Sequence, residues 1–242
     1  MAKPEKEGMP INRKDFLGSL ALFASVPPPK LEKWADNLSE RRYDKGHSLY
    51  WQGDSAEGLY LIQSGTVKVV KCNQEGDEFV VDFFGAGGFV GCCSLIGNER
   101  FPCTASTVEP TVVLRVPRGK FFKLMTDFPQ VTIVFLGEVT RRLRQAHNSL
   151  QSLALDIAEM RVALTLLDIG KRFGIPQNGY LLLPTRLTRL EDIANMVGCT
   201  FETVSRTLTR LYEAGWLERR RRQLVLKNYK ALYHSIAESS FL

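Results

Sequence analysis

The 242-residue chain carries 32 Lys+Arg against 26 Asp+Glu, a formal net charge of +6, and 44% of it is hydrophobic. That length suits two compact units, each with apolar material for its own core, and no apolar run approaches the roughly 20 residues that a membrane span requires. The amino terminus, MAKPEKEGMPINRKD, is polar and lacks an apolar h-region, so no secretory signal, no membrane partner and a cytoplasmic location are expected.

Residues 1–14 are polar and expected to be flexible. Residues 15–39 read as a short helix, a turn at Pro27–Pro29 and a second short helix, because proline cannot sit inside a helix. From Glu40 to Arg118 the apolar period becomes two. SLYWQGD, GLYLIQSG, TVKVVKCNQEGDEFVVDFF, FVGCCSL and TVVLRVP are strand-like, punctuated by Gly46, Gly53, Gly65, Gly76, Gly88 and Gly97. The pattern predicts an all-β barrel or roll, with a hairpin turn at KCNQEGDEF.

Residues 119–155 become helical. Pro129 suits the first turn of a long helix that follows the short segment GKFFKLMTDF. Leu136, Leu143, Leu150 and Ile157 recur every seven residues, and Val139, Ala146 and Leu153 stand three later. Together they form an a/d seam that predicts a two-helix dimer contact. Asp156 is placed to cap the next helix, which should end at Gly174. A Pro/Asn/Gly loop and the strand-like YLLLPTRL follow.

The stretch LTRLEDIANMVGCTFETVSRTLTRL then reads as two short helices joined at Gly198. The second places Glu202, Ser205 and Arg206 on one face, so all three can enter one groove of a duplex. Arg can fork onto guanine O6 and N7, and Glu can accept from a cytosine amino group. An Arg-rich turn from Glu218 to Arg222 and the strand QLVLKN look like a hairpin wing. From Asp156 onward, 13 Lys+Arg stand against 9 Asp+Glu, and this basic excess suits a polyanion partner such as double-stranded DNA.

A Gly-punctuated roll, a long helix and a winged helix-turn-helix, in that order, resemble the CRP/FNR family of bacterial transcription regulators. The resemblance is carried by KGHSLYWQGD…LYLIQSGTVKV…EGDEFVVDFFGAGGFVG and by VGCTFETVSRTLTRLYEAGWL. It implies an α+β chain. A double-stranded β-helix of the jelly-roll type over 15–128 acts as sensor, and a dimerisation helix spans 129–155. A winged helix-turn-helix DNA-binding domain fills 156–242. It further implies a homodimer reading an inverted repeat, with RNA polymerase as the natural partner if the protein activates.

Ser205 between Val204 and Arg206 resembles the FNR branch and its TTGAT half-sites, whereas Phe201 before Glu202 matches neither that branch nor the cyclic-AMP receptor branch. A TTGA-type half-site is expected. Glu202, Ser205 and Arg206 would read bases, and Thr188, Thr200 and Arg210 would contact phosphates and set register.

The sensor cassette departs from the family. Cyclic-nucleotide-binding members carry G-E-L-x-L…R-[ST]-A, in which Glu holds the ribose and Arg neutralises the cyclic phosphate. Here Cys92 stands at the Glu position, Pro102 at the Arg position and Cys103 at the Ser/Thr position, with Arg100 two residues off. A buried cyclic phosphate without its arginine is costly, so cyclic AMP is not expected.

Three of five cysteines, Cys92, Cys93 and Cys103, fall in or beside this cassette. His147 falls where the family contacts the nucleotide base. Thiolates with an imidazole suit haem iron, a thiophilic metal or reactive electrophiles. The plainer reading is that the cysteines fill core space, with Cys92 and Cys93 on opposite faces of a strand. An iron–sulfur cluster of the FNR kind is not expected, because residues 1–71 contain no cysteine. Cys199 should pack between the two helices, and Cys72, beside the hairpin turn, should be exposed.

Two further functions stay open: a constitutive regulator with structural cysteines, and an enzyme using Cys103 with His147 as base. With three histidines and no Ser-His-Asp or metal-hydrolase pattern, no enzymatic activity is expected.

Overall fold

The structure, a computed structural model, describes residues 12–36, 38–96, 100–177, 179–221 and 223–237. Residues 1–11 of the expected flexible terminus, Gly97 and the wing residue Arg222 lie outside these. The first helix, α1 (Arg13–Ser19), starts two residues before the expected Asp15, because the Asn12 side chain accepts from the Lys14 N–H as an N-cap. Helix α2 (Pro28–Ala35) opens on prolines in its first turn, where no intrahelical N–H is needed.

Eight strands then build the roll: β1 (Ser39–Tyr43), β2 (Ser48–Tyr50), β3 (Gly58–Ser64), β4 (Val67–Cys72), β5 (Glu78–Phe84), β6 (Phe89–Val90), β7 (Thr104–Thr107) and β8 (Thr111–Pro117). They form two antiparallel sheets, ordered β1-β8-β3-β6 and β2-β7-β4-β5. Ile62, Val67, Val69, Val90, Ala105 and Val113 fill the space between the sheets. Leu59, Leu61, Phe89, Leu114 and Val116 face outward from the first sheet onto the helices. Strand β3 is thus covered on both sides, which is why its sequence is nearly continuous in apolar residues. The KCNQEGDEF segment makes the expected hairpin turn between β4 and β5.

One strand expectation fails where function is at stake. FVGCCSL does not continue as a strand: β6 ends at Val90, Gly91 turns at φ 87°, and Cys92–Ser94 form a single 3-10 turn. A Cβ on Gly91 would meet the Phe101 ring at 3.1 Å and the Gly58 carbonyl oxygen at 3.2 Å, so this position requires glycine twice over.

Helix α3 (Arg118–Asp127) leads into α4 (Pro129–Leu155), the long helix the sequence predicts. Val131 and Phe135 anchor its first turns in the roll, with Phe135 packed on Phe121 and Phe89. Beyond them the seam is bare in the single chain. Leu136 is 60%, Leu143 55%, Leu150 63% and Ile157 61% exposed. Side chains of this size are worth about 1.5–3 kcal/mol each when fully buried, so the stripe is an unpartnered apolar face in one copy.

Helix α5 (Ala158–Phe173) ends at Gly174 as expected, but its N-cap is Ile157, not Asp156. The Asp156 carboxylate instead receives the Ser152 hydroxyl of α4, which removes it from capping duty. The Pro/Asn/Gly loop holds a short strand, β9 (Ile175–Gln177), paired with β10 (Tyr180–Leu182). Helices α6 (Leu190–Val197) and α7 (Phe201–Glu213) follow, joined through Gly198 at φ 62°. Strand β11 (Leu217–Arg220) takes in most of the expected Arg-rich turn and pairs with β12 (Gln223–Leu226) as the wing. Helix α8 (Tyr229–Ala237), which the sequence reading did not anticipate, closes the domain core with Leu232 and Ile236.

The carboxy-terminal domain is docked on the roll. Val70, Val80 and Phe83 of β4 and β5 pack with Ile169 and Leu187. Arg172 donates to Asp82 at 2.7 Å and also to the Phe83 carbonyl, and Lys68 bonds Asp192 at 2.8 Å. Asp82 is pushed above the ordinary carboxylate range by burial, with Arg172 opposing the shift.

Candidate DNA-reading helix and sensor cavity

Val204, Thr207, Leu208 and Leu211 recur at helical spacing along α7 and are buried against α5 and α6. That fixes the opposite face outward. Glu202, Ser205, Arg206 and Arg210 are all exposed on it. Thr200 starts the helix, its hydroxyl accepting from the Thr203 N–H at 3.2 Å. Arg206 and Arg210 lie 3.8 and 3.6 Å from Glu159, in the first turn of α5. Both arginines are at least half exposed, so these contacts hold them weakly. Thr188 is half-buried just before α6, with its hydroxyl on the Pro184 carbonyl. Four of the six expected DNA contacts thus sit on α7, and Thr188 and Thr200 lie in the turns that lead into α6 and α7. Cys199 packs at the edge of this domain's core, as expected.

The second site is a cavity of about 800 Å³ between β5, the Cys92–Ser94 turn, α4 and the α5–α6 region. Cys92, Cys93 and Cys103 all line it. The 3-10 turn is the reason both neighbouring thiols face one space. Successive side chains there are about 120° apart, rather than on opposite faces as in a strand. Cys93 is exposed, and Cys92 and Cys103 are half-buried. Cys72, expected to be exposed, is half-buried at the end of β4.

His147 corrects the sequence reading. It is exposed on α4 and does not line the cavity, whose α4 wall includes Arg142, Gln145, Ala146, Asn148 and Ser149. The single chain does not bring His147 together with the three thiols, and among the described residues no group of three His, Cys, Asp or Glu side chains is placed to hold a metal. The same separation leaves Cys103 without its supposed base.

Arg142 is the residue that cassette reasoning missed. Its guanidinium donates to Glu138 at 3.0 Å, to the Phe89 carbonyl at 2.9 Å and to the Cys92 sulfur at 3.5 Å. It also lies over the rings of Phe84 and Phe89, at 4.5 and 4.3 Å. The sequence signal was an arginine three residues after Val139, flanking the seam, but it comes from a different element than the cassette. Glu138, held between Arg141 and Arg142, is pushed down to about 2, chiefly by the Arg141 hydrogen bonds. Arg100, the other candidate cation, donates to the Gly53 carbonyl at 2.7 Å and does not line the cavity. Pro102 lines it at the position where the family resemblance implies an arginine.

A cyclic nucleotide-binding domain model matches residues 40–128, and a Crp-like helix-turn-helix domain model matches residues 160–235. The fumarate and nitrate reduction regulatory protein of Escherichia coli is 30% identical over 200 residues, covering 81% of this chain and 79% of that protein. The chain belongs to the CRP/FNR family. It is a DNA-binding transcription regulator of the CRP/FNR type. A CRP/FNR relative from Mycobacterium tuberculosis, a CRP-like cAMP-activated global transcriptional regulator, is 26% identical over 218 residues, or 90% of this chain and 97% of that protein. The structure of FixK2 from Bradyrhizobium japonicum superposes with a TM-score of 0.71 at 28% identity, covering 81% of this chain and 96% of that one. CRP/FNR regulators are dimeric, which matches the bare stripe on α4. Among the described residues, no helix is long and apolar enough to cross a membrane.

Proposed function

We propose that two copies join along the α4 stripe and read an inverted repeat of TTGA-type half-sites. Glu202, Ser205 and Arg206 contact base edges, and Thr188, Thr200 and Arg210 contact phosphates. A signal other than a cyclic nucleotide enters the roll cavity at Cys92, Cys93, Cys103 and Arg142 and shifts the population of DNA-competent dimers. That shift requires the signal to favour one arrangement of the two domains over the other. RNA polymerase is the partner implied if the bound dimer activates.

The observation carrying this reading is that Glu202, Ser205 and Arg206 share the exposed face of a helix whose other face is fully packed. Half-sites about one helical turn apart would match a two-fold pair of such helices. Titration of the full chain onto a palindromic TTGA duplex and a scrambled duplex, near 0.15 M salt, tests it. At least a thousandfold preference is expected. Equal affinity for both would overturn it.

A second reading, a constitutive regulator with structural cysteines, draws on Cys92 packing against the helix-facing core and Cys103 against the sandwich core. It expects no response of DNA binding to any change at the cavity.

A further inference from the structure

The turn that carries Cys92 and Cys93 is held by the left-handed Gly91 on one side and by the Ser94 hydroxyl bond to the Arg100 carbonyl on the other. It therefore presents two adjacent sulfurs to one cavity from a fixed backbone. Packing needs sulfur only at Cys92, which touches the helix-facing core, whereas Cys93 is exposed. Arg142 ties the same turn to the long helix, bonding Cys92 and the Phe89 carbonyl while paired to Glu138.

We propose that Cys93 is a site of oxidation by hydroperoxides, with Arg142 passing the change in charge to α4. The inference rests on reading the cavity as the place where the signal enters. Cys93 is pushed down to about 6 by the hydrogen bond from Cys92, against burial and with help from Arg142. Cys92 is pushed up by that same bond and by its own burial. Burial also pushes Cys103 and Cys199 up. A thiolate that is exposed and stands beside a second thiol reacts ahead of buried neutral ones.

In the reaction the Cys93 sulfur attacks one peroxide oxygen. An S–O bond forms as the O–O bond breaks. Sulfur is oxidised, the peroxide is reduced, and the leaving hydroxide, or the alkoxide of an organic hydroperoxide, takes a proton from solvent to depart as water or as the alcohol. The product, a neutral sulfenic acid, removes the negative charge from the residue next to Cys92, whose sulfur Arg142 bonds at 3.5 Å. The guanidinium then loses one of its attractions on the roll side and keeps Glu138 on the helix side. The change thus biases how α4 sits against the roll.

The test uses the full-length reduced protein, hydrogen peroxide and a dimedone trap at pH 7, with the labelled cysteines located by peptide mass spectrometry. Cys93 is expected to label at least tenfold faster than Cys103 or Cys199. Its alkylation by iodoacetamide should be half-maximal near pH 6. Arg142→Gln should move that half-point upward, which a merely structural cysteine would not do. Peroxide should change operator affinity about tenfold in the wild-type protein and less than twofold in Cys93→Ser. Labelling of Cys93 no faster than Cys103 overturns the proposal. So does an unchanged affinity of the oxidised protein for an operator that the reduced protein prefers. If the reduced protein prefers no operator, the DNA-reading proposal fails instead, and the labelling rates and their pH profile still decide the fate of Cys93.

Discussion

Helix α7 and the roll cavity belong to one chain and one family, yet their motifs resemble those of the family to different degrees. Helix α7 carries the Glu202-Thr203-Val204-Ser205-Arg206 order on which the proposed reading of base edges rests. In the cavity, Cys92 and Pro102 stand where the family resemblance implies a glutamate and an arginine, and the guanidinium beside the thiols comes instead from Arg142 on α4. The difference has a physical cause. A recognition helix works only if three side chains reach fixed hydrogen-bonding patterns in a groove, so each position is constrained by a partner outside the protein. A gating cavity has to favour one domain arrangement over another, and many ligand chemistries can do that.

The comparison is broken most severely through the element that links the two regions. Leu143→Asp with Leu150→Asp places four carboxylates along a paired seam and should give a monomer by analytical ultracentrifugation. Operator affinity should fall at least a hundredfold, because each half-site is then bound alone. Retention of a dimer would show that α4 is not the contact.

Arg206→Ala is next. It should cost roughly 1–3 kcal/mol at one base position, read as relaxed preference across a set of single-base operator variants. Arg206→Lys should recover little, since a point charge cannot fork onto guanine. Loss of affinity spread evenly over all variants would move Arg206 from base reader to phosphate contact.

Asp82→Asn probes the joint between the regions. Arg172 would keep Asp168 at 2.9 Å and lose its deeper partner. Breaking a buried pair from one side costs up to about 3–5 kcal/mol. The remaining partner and the partial exposure of Arg172 bring the expected loss to about 1–2 kcal/mol of domain docking. Faster proteolysis between α4 and α5 would register it, with the thermal transition of the roll itself little changed.

Arg210→Ala should have the smallest effect. Affinity for every sequence should fall by a similar factor, and the slope of log affinity against log salt should flatten by about 1. A change confined to one base position would contradict its assignment to phosphate.

The sequence by itself determined the two kinds of domain, their order, the long helix and the exposed face of α7. These are periodic or local: alternation makes strands, the seven-residue repeat makes the stripe on α4, and residues at i, i+3 and i+4 share a helix face whatever surrounds them. It also determined that the nucleotide cassette is altered, because that is a matter of which residues occupy a contiguous motif.

Only the tertiary structure decided what the cavity contains. Whether Cys92 and Cys93 face together depended on Gly91 ending β6 and starting a 3-10 turn, which a strand-like run of residues concealed. His147 dropped out and Arg142 came in because a helix rotates about 100° per residue, so its packing against the roll selects which of several neighbouring side chains reaches the thiols. The Arg172–Asp82 tie, spanning residues far apart in the chain, likewise depended on the docking of two domains. Such contacts are set by how elements pack, and packing is a property of the folded whole.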